Sequence, residues 1–184
     1  MMTQQKRAPE AWCSAGLFEK GIGHVVVARF KLSGEAEIGV FLLDVHCLGV
    51  KDAFFTRMEG YEYEHDMLDR LFPDGGRTQM SPACARKLVE DAVAYTRGLG
   101  LGPHADYRKA CRVFGGIKAA ECDETFTFGE SGKPLYVQGP HDSPAFAQRV
   151  ISVLRAKLGD DGFHFIVPIG PMGAFDTGSG EDDG

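Results

Sequence analysis

The densest group of chemically reactive side chains lies in residues 44–52, where the sequence reads DVHCLGVKD. We predict five candidate site residues here: Asp44, His46, Cys47, Lys51 and Asp52. An aspartate and a histidine two positions apart on a strand point to the same side of it. Such a pair can bind a divalent metal ion or act as a general base with its orienting carboxylate. Asp44 and His46 are therefore the candidate metal ligands.

Two other interpretations of the same segment stay open. A neighbouring cationic His46 or Lys51 would lower the pKa of Cys47 and make it a nucleophile, with His46 or His24 as the base. Alternatively, Asp44 and His46 cap the backbone amides of a loop, and Cys47 is a small buried apolar residue.

These residues support two functional hypotheses. The preferred one is a non-catalytic accessory or interaction protein of a bacterial multi-subunit complex, because the sequence contains no complete catalytic or cofactor motif. It predicts protein partners and no cofactor. The alternative is a metal-dependent hydrolase, such as a phosphodiesterase or nuclease. In this case Asp44, His46 and Asp52 would hold a divalent metal ion and Lys51 would contact an anionic substrate.

A second polar segment, His141-Asp142, directly precedes the Ser143-Pro144 pair. Serine followed by proline is typical of a helix start, and a helix N-terminus favours anions. The same residues are also typical of a plain turn and N-cap. Both interpretations stay open.

Composition limits the classes of protein that fit. With 184 residues, the chain has the length of about one domain, and 43% of the residues are hydrophobic, enough for a core. No apolar run approaches the roughly 18 residues of a membrane span. The net charge of −6 does not favour nucleic acid as a partner, although a local basic patch is possible. We therefore expect one globular domain that does not cross a membrane.

The five cysteines include no CxxC pair, and the N-terminal residues do not resemble a secretory signal. We therefore predict a cytoplasmic protein with five free thiols. Residues 1–10 and 171–184 are polar and rich in turn formers, so we predict flexible tails around a single domain at 11–170.

The segments that must position these residues indicate an α+β domain with a mainly antiparallel sheet, in the order ββ–ααα–ββ–α–β. Two apolar runs, 24–31 and 37–46, predict a hairpin of central strands, because neither run alternates cleanly. A helix over 144–158 should pack on the sheet that contains Val25, Val27, Val40 and Leu42. The segments 51–58 and 61–72 predict one bent helix or two short ones. The other predicted elements are helices at 82–99 after Ser81 and at 106–114, a hairpin of 125–128 with 134–138, and a strand at 163–169.

Three segments resemble a bacterial family whose members are described only as hypothetical proteins. They read GIGHVVVAR from Gly21, GVFLLD from Gly39 and CLGVKDAFF from Cys47, and the segment from Phe128 to Pro140 is similar to the family's second half. Some members carry a C-terminal cysteine-rich zinc motif, whereas residues 178–184 here contain no cysteine. The resemblance implies one bacterial domain and brings no established activity.

Overall fold

A five-stranded antiparallel sheet forms the centre of the molecule. The computed structural model describes residues 7–73 and 75–168. The strands lie in the spatial order β4-β3-β2-β1-β5, which confirms the predicted α+β class with a mainly antiparallel sheet. Their bounds are β1 (Glu10–Ser14), β2 (Ile22–Phe30), β3 (Glu35–Asp44), β4 (Gly49–Glu59) and β5 (Arg77–Met80).

Helices cover both faces of this sheet, and a second sheet lies beyond its end. A π-helical segment at Tyr63–Met67 joins α2 to α3, so that residues 60–71 form one irregular helix. The small sheet consists of β6 (Leu135–Val137) and β7 (His164–Ile166). The helices are α1 (Leu17–Lys20), α2 (Gly60–Glu62), α3 (Leu68–Leu71), α4 (Pro82–Gly98), α5 (Tyr107–Ala110) and α6 (Pro144–Leu158).

Burial on both faces explains why β2 and β3 do not alternate between apolar and polar residues. Val25 and Phe41 belong to a core cluster with Leu88 of α4. Val26, one residue along β2, belongs to another cluster with Tyr63 of the π-helical segment. The predicted central position of this hairpin is therefore confirmed.

The two Ser-Pro pairs begin helices as predicted. The Ser81 hydroxyl accepts a hydrogen bond from the Cys84 amide at 3.1 Å, and the Ser143 hydroxyl accepts one from the Phe146 amide at 3.1 Å. The prediction for the packing of α6 was wrong. Its buried Leu154 lies in a cluster with Leu48, Leu99 and Tyr136 rather than on the central sheet, because α6 covers the small sheet.

The predicted helix at 51–58 is wrong, because these residues belong to β4. Antiparallel pairing with β3 runs from Gly49 opposite Asp44 to Glu59 opposite Glu35. Pairing along the length of β4 satisfies the backbone groups that face β3, and this outweighs any local helical preference. Gly49, with φ +64°, starts the strand where an added Cβ would lie 2.6 Å from the Ala92 carbonyl oxygen.

The predicted second hairpin is also wrong. Residues 125–128 form no strand, and their Phe126 and Phe128 side chains pack against the core beside α4. β6 instead pairs in parallel with β7, with Tyr136 opposite Phe165. Two parallel strands need a long crossover connection, and α6 provides it. The local turn at 130–133 is present, but it does not join two strands.

A disulfide between Cys84 and Cys122 contradicts the prediction of five free thiols. The two residues are 38 positions apart, and their Cα atoms lie 4.9 Å apart where the segment after α5 returns to the start of α4. The free cysteines are Cys13, Cys47 and Cys111. Because disulfides are typical of oxidising compartments, the cytoplasmic location stays a prediction.

At the N-terminal end, β1 begins at Glu10, one residue before the predicted domain boundary. The predicted last strand is shorter, and its final residue Ile169 lies outside the described residues, as do the tails at 1–6 and 171–184. No helix in the part of the chain that the structure describes has the length and apolar character needed to cross a membrane.

Candidate functional site

A β-bulge at the start of β4 sets the direction of the Lys51 side chain. Leu42 pairs with Asp52, whereas the next residue of β3, Leu43, pairs with Val50. Lys51 is therefore the extra residue on β4, and a bulge of this kind redirects its side chain. The Lys51 Nζ lies 3.0 Å from the Asp142 Oδ2, just before α6.

Asp142 accepts the hydrogen bonds of a largely buried polar cluster. Its Oδ2 accepts hydrogen bonds from the Gly139 amide at 2.9 Å, the Tyr136 hydroxyl at 3.2 Å and Lys51. Burial alone would raise the pKa of Asp142, but the Gly139 amide and the Lys51 ammonium group outweigh it and lower the pKa. The cluster ties the small sheet to the end of the central sheet.

The carboxylate of Asp44 caps the turn that joins β3 to β4. Its Oδ1 accepts hydrogen bonds from the backbone amides of His46 at 3.0 Å and Cys47 at 2.9 Å. The side chain is almost fully enclosed, and burial raises the pKa of Asp44 although these amides and Lys51 act to lower it. The amide-capping interpretation of Asp44 is thus the one that matches this geometry.

The ring of His46 faces a backbone carbonyl. Its Nε2 lies 3.2 Å from the Phe18 oxygen, which can only accept, so the Nε2 carries the proton. The ring packs flat over Gly21, where an added Cβ would lie 2.3 Å from the His46 Nδ1. The His46 carbonyl accepts a hydrogen bond from the Leu135 amide at 3.1 Å, which joins this turn to β6.

Cys47 lies in the core beneath the turn and has no exposed surface. Burial, and after it the charge of Asp44, raises the pKa of the Cys47 thiol. The expected lowering of this pKa by His46 or Lys51 was therefore wrong, because the thiol is removed from water, which disfavours the thiolate.

Asp52 is exposed and lies near His104 rather than in the cluster around Asp142. Its side chain is 60% exposed, and its Oδ1 lies 3.7 Å from the Nε2 of His104. His24, on the same face of the sheet, has a lowered pKa because of burial, although Asp52 acts to raise it. Lys51 thus contacts Asp142, whereas Asp52 lies near His104.

Three of the five predicted residues, Asp44, His46 and Lys51, line one cleft of about 290 Å³. Its apolar walls are formed by Ile22, Leu135, Val137 and Pro140, and its rim includes Lys20. Cys47 and Asp52 do not line it.

One edge of β6 at the cleft pairs with no other strand of the described residues. In the parallel ladder with β7, Tyr136 directs its backbone N–H and C=O towards β7, so those of Leu135 and Val137 point the other way. The Leu135 amide is used by the His46 carbonyl. For the backbone of Val137, the described residues provide no partner on this side.

No three histidine, cysteine, aspartate or glutamate side chains come close enough together to hold a metal ion within residues 7–73 and 75–168. Sequence reasoning identified Asp142 as a helix-start residue but did not connect it to Lys51, which lies 91 positions away. It missed Tyr136 and Lys20, because no local sequence pattern marks either residue as part of a site.

The chain matches no family model, and no curated protein or solved structure is significantly similar to it. The resemblance of its three segments to a bacterial family therefore stays a prediction.

Proposed function

We propose that this protein is a non-catalytic accessory protein of a bacterial multi-subunit complex, and that the cleft beside Val137 binds a segment of a partner protein. The bacterial origin and cytoplasmic location are part of this proposal and rest on the sequence. The net charge of −6 favours a protein partner over nucleic acid.

The observation that carries the proposal is the contrast between the charged and the apolar groups of the cleft. Asp44 is engaged by loop amides and Lys51 by Asp142, so these side chains hold the fold together. The apolar residues Ile22 and Val137 are each 45% exposed. Exposed apolar side chains grouped around a concave surface are typical of binding sites.

The apolar surface continues from the cleft onto β7. Val137 pairs with Ile166, and paired residues of neighbouring strands lie on the same face. Ile166 is 58% exposed. The alternative, a metal-dependent hydrolase, has less support, because Asp52 does not line the cleft with Asp44 and the Asp44 Oδ1 already accepts hydrogen bonds from two amides.

The test is selection of peptides from a random display library on the immobilised protein, followed by affinity measurement with two variants. Val137→Asp should weaken binding of the selected peptides about tenfold or more, because it places a charge in an apolar contact. The matched control is Leu32→Asp, since Leu32 is 60% exposed and lies beyond the other end of β2. Enrichment of no peptide, or equal binding by Val137→Asp and the wild type, would contradict the proposal.

A further inference from the structure

We infer that the segment bound in the cleft is an extended, acidic peptide, which pairs with the backbone of Val137 as an added strand and places a carboxylate beside Lys20. This inference rests on the proposed function and specifies the partner's chemistry.

The edge of β6 at the cleft favours an extended backbone. The N–H and C=O of Val137 face the cleft, and side chains on both sides of this position form apolar walls. An added strand would satisfy both backbone groups and direct alternate side chains towards Ile22 and Leu135. A helical segment would leave this backbone edge unpaired, because its own N–H and C=O groups are used internally.

The charges of the lining favour an acidic segment. Lys20 forms no ion pair with any residue of the described ranges, and it lies in the last turn of α1 on the cleft rim. Lys51 also lines the cleft, and its ammonium group is paired with Asp142. Asp44 is the single acidic residue of the lining and is 7% exposed. A cationic rim on a chain of net charge −6 complements a carboxylate.

A larger depression of about 620 Å³ near Arg7 differs from the cleft in the pairing of its cations. It also has cationic side chains, but they are paired: Arg7 with Glu10, Arg29 with Glu37 and Lys31 with Glu35. Because these cations are already paired, this depression attracts an incoming carboxylate less strongly than Lys20 on the cleft rim does. Its lysine, Lys31, therefore provides a matched control for Lys20.

The experiment uses two fluorescein-labelled six-residue probes with blocked ends, one alternating valine with glutamate and one alternating valine with glutamine. Affinities for the full chain are measured by fluorescence anisotropy at low and high salt. We expect the glutamate probe to bind about two- to fivefold more tightly at low salt, the scale of one exposed ion pair, with the difference shrinking as salt screens it. Lys20→Gln should remove the difference, and Lys31→Gln should keep it.

A third probe, the glutamate peptide with one N-methylated central residue, tests the strand pairing, and we expect it to bind more weakly than its parent. Equal binding of the glutamate and glutamine probes, or an unchanged preference in Lys20→Gln, would overturn the inference while peptide selection still supported the proposed function. Binding of neither probe would overturn the inference as well. Loss of the proposed function itself would appear separately, as insensitivity of the selected peptides to Val137→Asp.

Discussion

Replacing Asp44 distinguishes between two roles for this residue, capping of loop amides and binding of a metal ion. The Asp44 Oδ1 is the acceptor for the His46 and Cys47 amides, and its side chain is 7% exposed. Asp44→Ala removes this acceptor and leaves two enclosed donors without a partner. Asp44→Asn keeps one carbonyl oxygen of the same reach and replaces the other carboxylate oxygen with an uncharged NH₂ group, so it is the matched control.

The expected size of the effect follows from the two lost hydrogen bonds. A buried donor left unsatisfied costs about 1–3 kcal/mol, and water that enters the space of the missing carboxylate keeps the total in that range. Asp44→Ala should therefore be less stable than Asp44→Asn by about 1–3 kcal/mol. For a chain of this length the difference corresponds to about 2–12 °C in Tm.

The assay is thermal unfolding of the wild type and both variants, each with and without Mg²⁺ or Mn²⁺. Capping predicts that Asp44→Ala melts lowest and that metal leaves all three Tm values unchanged. Equal Tm values for Asp44→Ala and Asp44→Asn would refute the capping argument. A metal-dependent rise of Tm in the wild type that Asp44→Ala abolishes would support the hydrolase alternative instead.

Three further predictions concern packing, electrostatics and redox state. Leu154→Ala should lower the free energy of unfolding by about 2–5 kcal/mol in denaturant titration, because Leu154 is fully buried; a loss below about 0.5 kcal/mol would place it at the surface. Lys51→Met should destabilise the protein by about 1–3 kcal/mol at neutral pH, because Asp142 loses its charged donor. Since the pKa of Asp142 is lowered from 3.8, its contribution is complete above about pH 4 and is lost as pH falls through the lowered value. Lys51→Met should reduce this loss of stability at acidic pH. An unchanged dependence of stability on pH would contradict the role of the pair. Thiol titration of unreduced, denatured protein should find the three free cysteines; a count of five would disprove the disulfide between Cys84 and Cys122.

The parts of the fold that could be predicted from the sequence are those with local signals. The Ser81 and Ser143 caps, each followed by proline, predict the starts of α4 and α6. The dense apolar runs of β2 and β3 predict central strands, because both faces of the sheet are covered. In each case the information lies within a few residues of the element itself.

The elements that could not be predicted depend on distant partners. β4 is a strand because β3 pairs with its whole length. β6 and β7 pair in parallel across the intervening α6, a contact that no turn pattern indicates. The short strands β1 and β5 pair with each other at the sheet edge, with Trp12 opposite Gln79, although more than sixty residues separate them.

The candidate site, like the fold, has features that the sequence predicts and features that it does not. The segment 44–52 correctly indicates a concentration of polar groups at the end of a central strand, and three of its candidate residues share a cleft. The bulge at Lys51 arises from the register of β3 and β4. The Asp142 partner of Lys51 comes from the start of α6. Both depend on tertiary packing, so neither could be read from the spacing of residues.

The most direct test of the central claim is an NMR titration of the ¹⁵N-labelled full chain with a peptide selected on the immobilised protein. In the free protein the Val137 amide should exchange with solvent faster than the Tyr136 amide, which pairs with β7. Saturating peptide should shift the Val137 and Ile22 amides and slow the exchange of Val137. Shifts confined to residues elsewhere, such as those around Leu32, with unchanged exchange at Val137, would contradict the claim that this cleft binds the partner.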